Sequence, residues 1–301
     1  MAQFSLKGMG VALITPFRRD KSIDYEAFDR LLDSLISGGA DFLVVLGTTA
    51  ETPTLTAGEK REVMRFVKEK NAGRLPLILG LGSNDTMGLV RDLKSRNLDG
   101  FSAILSVVPY YNKPSQEGIY CHYAALAQAS PLPLVLYNVP GRVGVNMSAE
   151  TTLRLAADFP GKIIGIKEAS GNLSQMDEII KRKPADFQVI SGDDGMTFPL
   201  MTLGAVGVIS VIGNAYPREF SRMVHLCLEG NFKDALPIHH SFTELFRLLF
   251  VDGNPAGVKC ALHNMGMIAN ELRLPLVPTR VSTNEKIHEI VRRLSEAASS
   301  R

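Results

Sequence analysis

Short, continuously apolar runs alternate along the chain with longer segments in which apolar residues recur every three or four positions. The short runs are GVALITPF (10–17), FLVVLG (42–47), LPLILGLG (75–82), FSAILSVV (101–108), LPLVLYNV (132–139), IIGIKEA (163–169), FQVISG (187–192) and GVISVIG (207–213). None alternates apolar with polar, so each predicts a strand buried on both faces, as in a parallel sheet. The longer segments predict helices. Asp24 to Ser37 places Phe28, Leu31, Leu32 and Leu35 on one face, and Ser148 to Asp158 and Leu173 to Lys181 follow the same pattern. Thr56 to Ala72 opens with TAGE, a capping box from Thr56 to Glu59, ahead of Val63, Met64 and Val67.

Strands that alternate with helices imply βαβ units. Eight such units close into an α/β fold of the (β/α)8 TIM-barrel type. An open doubly wound sheet is the alternative, but no strand leads into GxGxxG or GxxxxGK[ST]. After residue 224 the strand signal stops. Residues 231–250 and 283–298 read as helices on either side of a Gly/Pro break, DGNPAG (252–257). The expected organisation is a catalytic barrel over 1–224 and a C-terminal helical extension over 225–301.

Charge narrows the function. The net charge of +2 gives no electrostatic case for nucleic acid or a membrane surface. No apolar run approaches the ~18 residues needed to span a bilayer, and the N-terminus lacks a secretion-signal pattern. Cys121, Cys227 and Cys260 are an odd set without CxxC spacing, which points to free thiols and a cytoplasmic setting rather than a zinc site or disulfide frame.

Barrel chemistry sits where strands end. The strand-like runs deliver Thr15, then Thr48, Thr49 and Glu51 from GTTAE, then Tyr110, Tyr111 and Asn112 from PYYNKPSQEG. They further deliver Tyr137, Asn138 and Arg142 from YNVPGR, Lys167 and Glu168 from GIKEASGN, and the SGDD and GVISV segments. The set contains one nitrogen nucleophile among phenols and hydroxyls. A lysine in an apolar barrel loses hydration, which favours its neutral, nucleophilic form and suits imine formation with a carbonyl. The competing view is that Lys167 simply pairs with Glu168. Glu51 and Glu168 read as structural hydrogen-bonders. The histidines fall in helical segments and read as packing or surface residues, and Asp193 and Asp194 lack a nearby third ligand for a metal.

Taken together, GTTAE, PYYNKPSQEG, YNVPGR, GIKEASGN, SGDD and GVISV make this chain similar to the dihydrodipicolinate synthase family. That family belongs to the pyruvate-dependent Schiff-base aldolases, which also hold N-acetylneuraminate lyase. The likeness runs from TPF (15–17) to FVDGNPAGVK (250–259) and beyond. It implies a lyase that condenses pyruvate with L-aspartate 4-semialdehyde on the way to diaminopimelate and lysine. It implies a homotetramer built as a dimer of dimers, with no cofactor and no metal. By resemblance, Lys167 forms the imine and Tyr137 relays protons. Thr48 and Tyr111 complete the relay, Tyr111 reaching into a neighbouring subunit. Thr48 and Thr49 hold the pyruvate carboxylate, Arg142 receives the second substrate's carboxylate, and the main chain of Gly192 and Ile209 lines the pocket. The alternative is an N-acetylneuraminate lyase or a 2-keto-3-deoxy sugar acid aldolase, which share the lysine and tyrosine.

Two departures from the family pattern stand out. Ala50 replaces the second glycine of the usual GTTGE, a strain if that backbone needs positive φ. Where lysine-inhibited members use a histidine and a glutamate, this chain has Lys60 and Gly88, although Asn84 and Tyr110 are retained. An added cation and a lost carboxylate predict weak or absent inhibition by L-lysine.

Overall fold

The computed structural model describes residues 4–299. Eight strands form a closed parallel barrel in chain order. They are β1 Gly8–Ala12, β2 Phe42–Val45, β3 Leu77–Gly80, β4 Ala103–Val107, β5 Leu134–Asn138, β6 Ile163–Glu168, β7 Gln188–Ser191 and β8 Gly207–Ser210. β1 pairs with β8 through Met9↔Val208 and Gly10↔Ile209, which closes the ring. The (β/α)8 expectation therefore holds, and each strand lies within its expected run except β1, which starts two residues earlier, at Gly8.

The helices in chain order are α1 Tyr25–Ser37, α2 Ala57–Asn71, α3 Thr86–Ser95, α4 Gln116–Ala129, α5 Pro140–Val143, α6 Ala149–Asp158, α7 Leu173–Arg182, α8 Asp194–Thr202, α9 Pro217–Leu228, α10 Phe232–Val251, α11 Ala256–Asn264 and α12 Val281–Ser299. Local chemistry explains their starts. Asp24 caps α1, Ser148 caps α6, and both bonds of the Thr56–Glu59 capping box are formed at α2.

Two boundaries differ from the apolar pattern. The run at 10–17 overshoots β1 because Leu13, Ile14 and Phe17 are buried as loop residues, Phe17 against Lys259 and Arg273 of the C-terminal layer. The helix α11 has no amphipathic signature because Ala256 to Leu262 are all buried. Its Gly257 packs against α10 so closely that a Cβ would lie 2.3 Å from the Leu249 carbonyl oxygen. Residue 224, where the strand signal ends, falls inside α9. Beyond α9, α10 lies against α8 and α9, and α11 against α10 and α12.

Candidate active site

The register of β5 and β6 builds the centre of the site. Tyr137 is the cross-strand partner of Lys167, and Asn138 that of Glu168. Successive side chains on a strand face opposite ways, so Tyr137 and Lys167 share one face and Asn138 and Glu168 the other. The Lys167 amine lies over the Tyr137 ring, 4.3 Å from its centroid, and both residues are buried.

Glu168 is engaged elsewhere, so the pairing of Lys167 with Glu168 is not formed. Asn138 Nδ2 donates to both Glu168 oxygens at 3.2 and 3.1 Å, the Ser170 N–H to Oε1 at 2.8 Å, and Gln175 Nε2 to Oε2 at 3.2 Å. Burial pushes the Glu168 carboxyl above the usual carboxylate range, and these donors oppose the shift. Glu168 ties β5, β6 and α7 together beside Lys167.

Gly192 follows β7 and fixes the space beside Lys167. Its N–H donates to the Glu168 carbonyl at 2.8 Å, and a Cβ here would lie 2.9 Å from Lys167 Cε. Ile209 is buried in β8.

Thr48 and Thr49 form a one-turn 3-10 segment, Thr48–Ala50, after β2. Thr48 is exposed and Thr49 buried. Ala50 is not among the residues with positive φ; the left-handed position is Glu51, at φ 55°. Alanine at 50 therefore carries no backbone strain, and its carbonyl accepts from the Thr15 hydroxyl at 2.8 Å. The Thr49 hydroxyl accepts from Asn254 Nδ2 at 3.0 Å, and the Asn254 carbonyl accepts from Arg142 Nη2 at 3.5 Å. Arg142 itself is exposed on α5.

Tyr111 stands apart from this group. Its backbone is left-handed at φ 74°, and its side chain is 89% exposed. The Tyr110 carbonyl beside it accepts from Asn84 Nδ2 at 3.2 Å.

The acidic pair of SGDD is structural. Asp193 caps α8. Asp194 is buried, and its Oδ2 accepts from the N–H groups of Val211 and Ile212 at 3.0 and 2.7 Å. Burial raises its pKa to about 6, against those bonds. Among the described residues, no group of three His, Cys, Asp or Glu side chains is placed to hold a metal ion. All six histidines lie in helices. His122 bonds the Thr86 hydroxyl at 2.8 Å, and His225 faces Asp41 at 3.1 Å.

Sequence reasoning left Asn254 and Lys259 without a role. Asn254 sits inside the Gly/Pro break, and Lys259 was one more residue of the FVDGNPAGVK segment. In the fold Lys259 is fully buried, and its amine donates to Glu51 Oε1 at 2.5 Å.

A closed parallel barrel with a buried lysine set against a tyrosine at a strand end defines a (β/α)8-barrel enzyme, whose chemistry is delivered from strand ends and their loops. Comparison with known proteins refines this. A model of the dihydrodipicolinate synthetase family matches residues 5–294. The 4-hydroxy-tetrahydrodipicolinate synthase of Parabacteroides distasonis is 66% identical over 295 residues, covering 98% of this chain and 99% of that protein. The crystal structure of dihydrodipicolinate synthase from Aquifex aeolicus superposes with a TM-score of 0.92 at 40% identity, covering 96% of this chain and 98% of that one. The 4-hydroxy-tetrahydrodipicolinate synthase structure from Methylacidiphilum fumariolicum gives a TM-score of 0.94 at 38% identity, covering 98% of both chains. The chain belongs to the dihydrodipicolinate synthetase family.

Proposed function

We propose that this chain condenses pyruvate with L-aspartate 4-semialdehyde, the reaction of a 4-hydroxy-tetrahydrodipicolinate synthase that commits carbon to diaminopimelate and lysine. The observation that carries the reading is the Lys167 amine, buried at the end of β6 against the Tyr137 ring, in a chain 66% identical to a protein of that name.

Lys167 Nζ attacks the ketone carbon of pyruvate, and loss of water leaves a protonated imine. That cation is an electron sink, so a methyl proton departs and an enamine forms. The enamine carbon bonds to the aldehyde carbon of the semialdehyde, whose oxygen takes up a proton. The semialdehyde's amine then displaces Lys167 from the imine, closing the ring and freeing the enzyme.

Each step moves a proton, and a positioned acid–base group is worth about 10²–10⁴-fold. The Tyr137 phenol both donates and accepts, which suits the relay. Thr48 and Thr49 grip the pyruvate carboxylate. Arg142 meets the second carboxylate in a two-pronged geometry. The main chain at Gly192 and Ile209 bounds the pocket.

We assign Tyr111 to the relay of a second copy. A phenol 89% exposed on its own subunit suits a site completed across an interface, and the assembly we propose is a dimer of dimers. The free thiols Cys121, Cys227 and Cys260 support a reducing, cytoplasmic location.

The deciding experiment measures pyruvate consumption by purified protein, with L-aspartate 4-semialdehyde in one reaction and N-acetylmannosamine in another. Consumption with the semialdehyde alone is expected. Consumption with the sugar alone overturns the assignment and moves the chain to the lyase branch.

A further inference from the structure

The Thr48–Thr49 turn is held from outside the barrel by groups that take no part in the chemistry above. The turn ends at Glu51, a buried residue with left-handed backbone, φ 55° and ψ 34°. A non-glycine residue in that conformation is strained, and such strain persists only where surrounding structure over-determines it. The surroundings come from the C-terminal layer, more than 200 residues along the chain. Lys259 of α11 donates to Glu51 Oε1 at a sequence separation of 208, and the Arg273 N–H donates to Oε2 at 3.0 Å. The Lys259 amine also donates to the Glu271 carbonyl at 3.0 Å and lies 4.2 Å from the centroid of the Phe17 ring. Five residues before Lys259, Asn254 donates to the Thr49 hydroxyl itself, while its carbonyl receives Arg142.

A fully buried ion pair is a poor way to gain stability, because well-packed apolar residues of similar volume often do as well or better. What a buried, fully bonded pair does supply is a fixed position. We propose that Lys259 and Asn254 are positioning residues: they set the Thr48–Thr49 turn so that its hydroxyl and N–H groups converge on the carboxylate of a short 2-oxo acid. Lys259 holds the turn through Glu51, and Asn254 orients the Thr49 hydroxyl and links it to Arg142. The inference rests on the assignment of pyruvate to this turn. It predicts that damage to the C-terminal layer appears in 2-oxo-acid affinity before it appears in proton transfer.

The test uses the full chain and four variants: Asn254→Ala, Asn254→Asp, Lys259→Met, and the charge-free double variant Glu51→Gln with Lys259→Met. Imine formation is read as mass gained on borohydride reduction across a pyruvate series, and steady-state kinetics give kcat and both KM values. Half-saturation by pyruvate is expected to rise about 10–100-fold in Asn254→Ala and in the double variant, the loss of one charge-assisted contact to a carboxylate. Extrapolated kcat is expected to stay within about threefold, as for removal of uniform binding. Asn254→Asp, which retains size but not the donor to Thr49, should behave like Asn254→Ala. If Lys259→Met fails to fold, the double variant, which leaves no lone buried charge, decides. Folded variants with unchanged pyruvate half-saturation overturn the proposal and leave a merely structural pair. A wild-type protein that forms no adduct with pyruvate overturns the functional assignment as well, so the two failures are distinguishable.

Discussion

Gly192→Ala isolates the space around Lys167, the proposed nucleophile. Gly192 has no positive φ, so the substitution introduces no backbone strain; it adds only a methyl group. That methyl would lie 2.7 Å from Ala169 Cβ, 2.9 Å from Lys167 Cε and 3.0 Å from Lys167 Cγ. Carbon–carbon contacts are comfortable at about 3.5–4.0 Å, so the overlaps are roughly 0.5–1.3 Å. Ala169 is held by its N–H to the Asn138 carbonyl at 2.9 Å, and Gly192 by its N–H to the Glu168 carbonyl at 2.8 Å. The Lys167 side chain can yield by moving its end, whereas the contact with Ala169 Cβ is relieved only by a shift of one of the two backbones. A displacement near 1 Å at a reacting group costs about 10²-fold in rate, close to 2.7 kcal/mol of transition-state stabilisation. The assay is the rate of imine formation at saturating pyruvate, quenched with borohydride and read by mass. Gly58→Ala on α2 is the control, since its Cβ would meet only Thr56 Oγ1 at 3.8 Å. An imine-formation rate within twofold of wild type in folded Gly192→Ala protein would refute the claim that this glycine sets the amine's position.

Other perturbations separate the remaining roles. Lys167→Ala should abolish covalent trapping of pyruvate, and trapping that persists moves the nucleophile elsewhere. His122 should destabilise the fold in mild acid: burial holds its pKa near 4 against an ordinary 6.5. The unfolded chain therefore binds the proton first as pH falls, and stability drops by about 2 kcal/mol between pH 7 and pH 5. A His122→Gln variant should lose that component of the pH dependence in urea titrations at the two pH values; an identical pH slope sinks the explanation. L-Lysine should inhibit weakly or not at all, because Lys60 adds a cation and Gly88 offers no carboxylate. Gly88 is the third helical residue of α3: its N–H bonds the Asp85 cap at 2.9 Å, and a Cβ there would lie 2.3 Å from Asp85 Oδ2, so a side chain at 88 would displace the cap. Half-inhibition at sub-millimolar lysine would contradict this.

What the sequence reveals here follows from the range of the forces involved. Strands buried on both faces leave a continuous apolar trace, so all eight were legible, as were helices opened by Asp24, Thr56 and Ser148. The same rule misled at residues 13–17, because loop residues buried in the core make the same trace as burial in a sheet. The α11 helix was illegible for a related reason: a segment buried all round has no polar face to mark its period. In the site, Tyr137 and Lys167 were legible because they close two strand-like runs, and the register then brings them together. Glu168 was read correctly as a structural hydrogen-bonder, but its donors, Asn138 and Gln175, are set by packing. Asn254 and Lys259 were not legible, because their partners Thr49 and Glu51 lie 205 and 208 residues away.

The two halves of the site are held by different physics. Tyr137 and Lys167 sit on adjacent strands, where ladder hydrogen bonds fix the register and alternation fixes the facing. No further element is needed to bring amine and phenol together. The Thr48–Thr49 turn, proposed to bind the carboxylate, is a loop, and a loop has no ladder. Its shape depends on a left-handed glutamate and on side chains that arrive from α11 and the segment before it. Substitutions on or beside the inner strand faces should therefore alter the chemical steps, as is expected of Gly192→Ala through Lys167. Substitutions in the C-terminal layer should alter how tightly the 2-oxo acid is held. On the proposed reading, the strands alone place the amine, and the C-terminal layer positions the Thr48–Thr49 turn that grips the substrate.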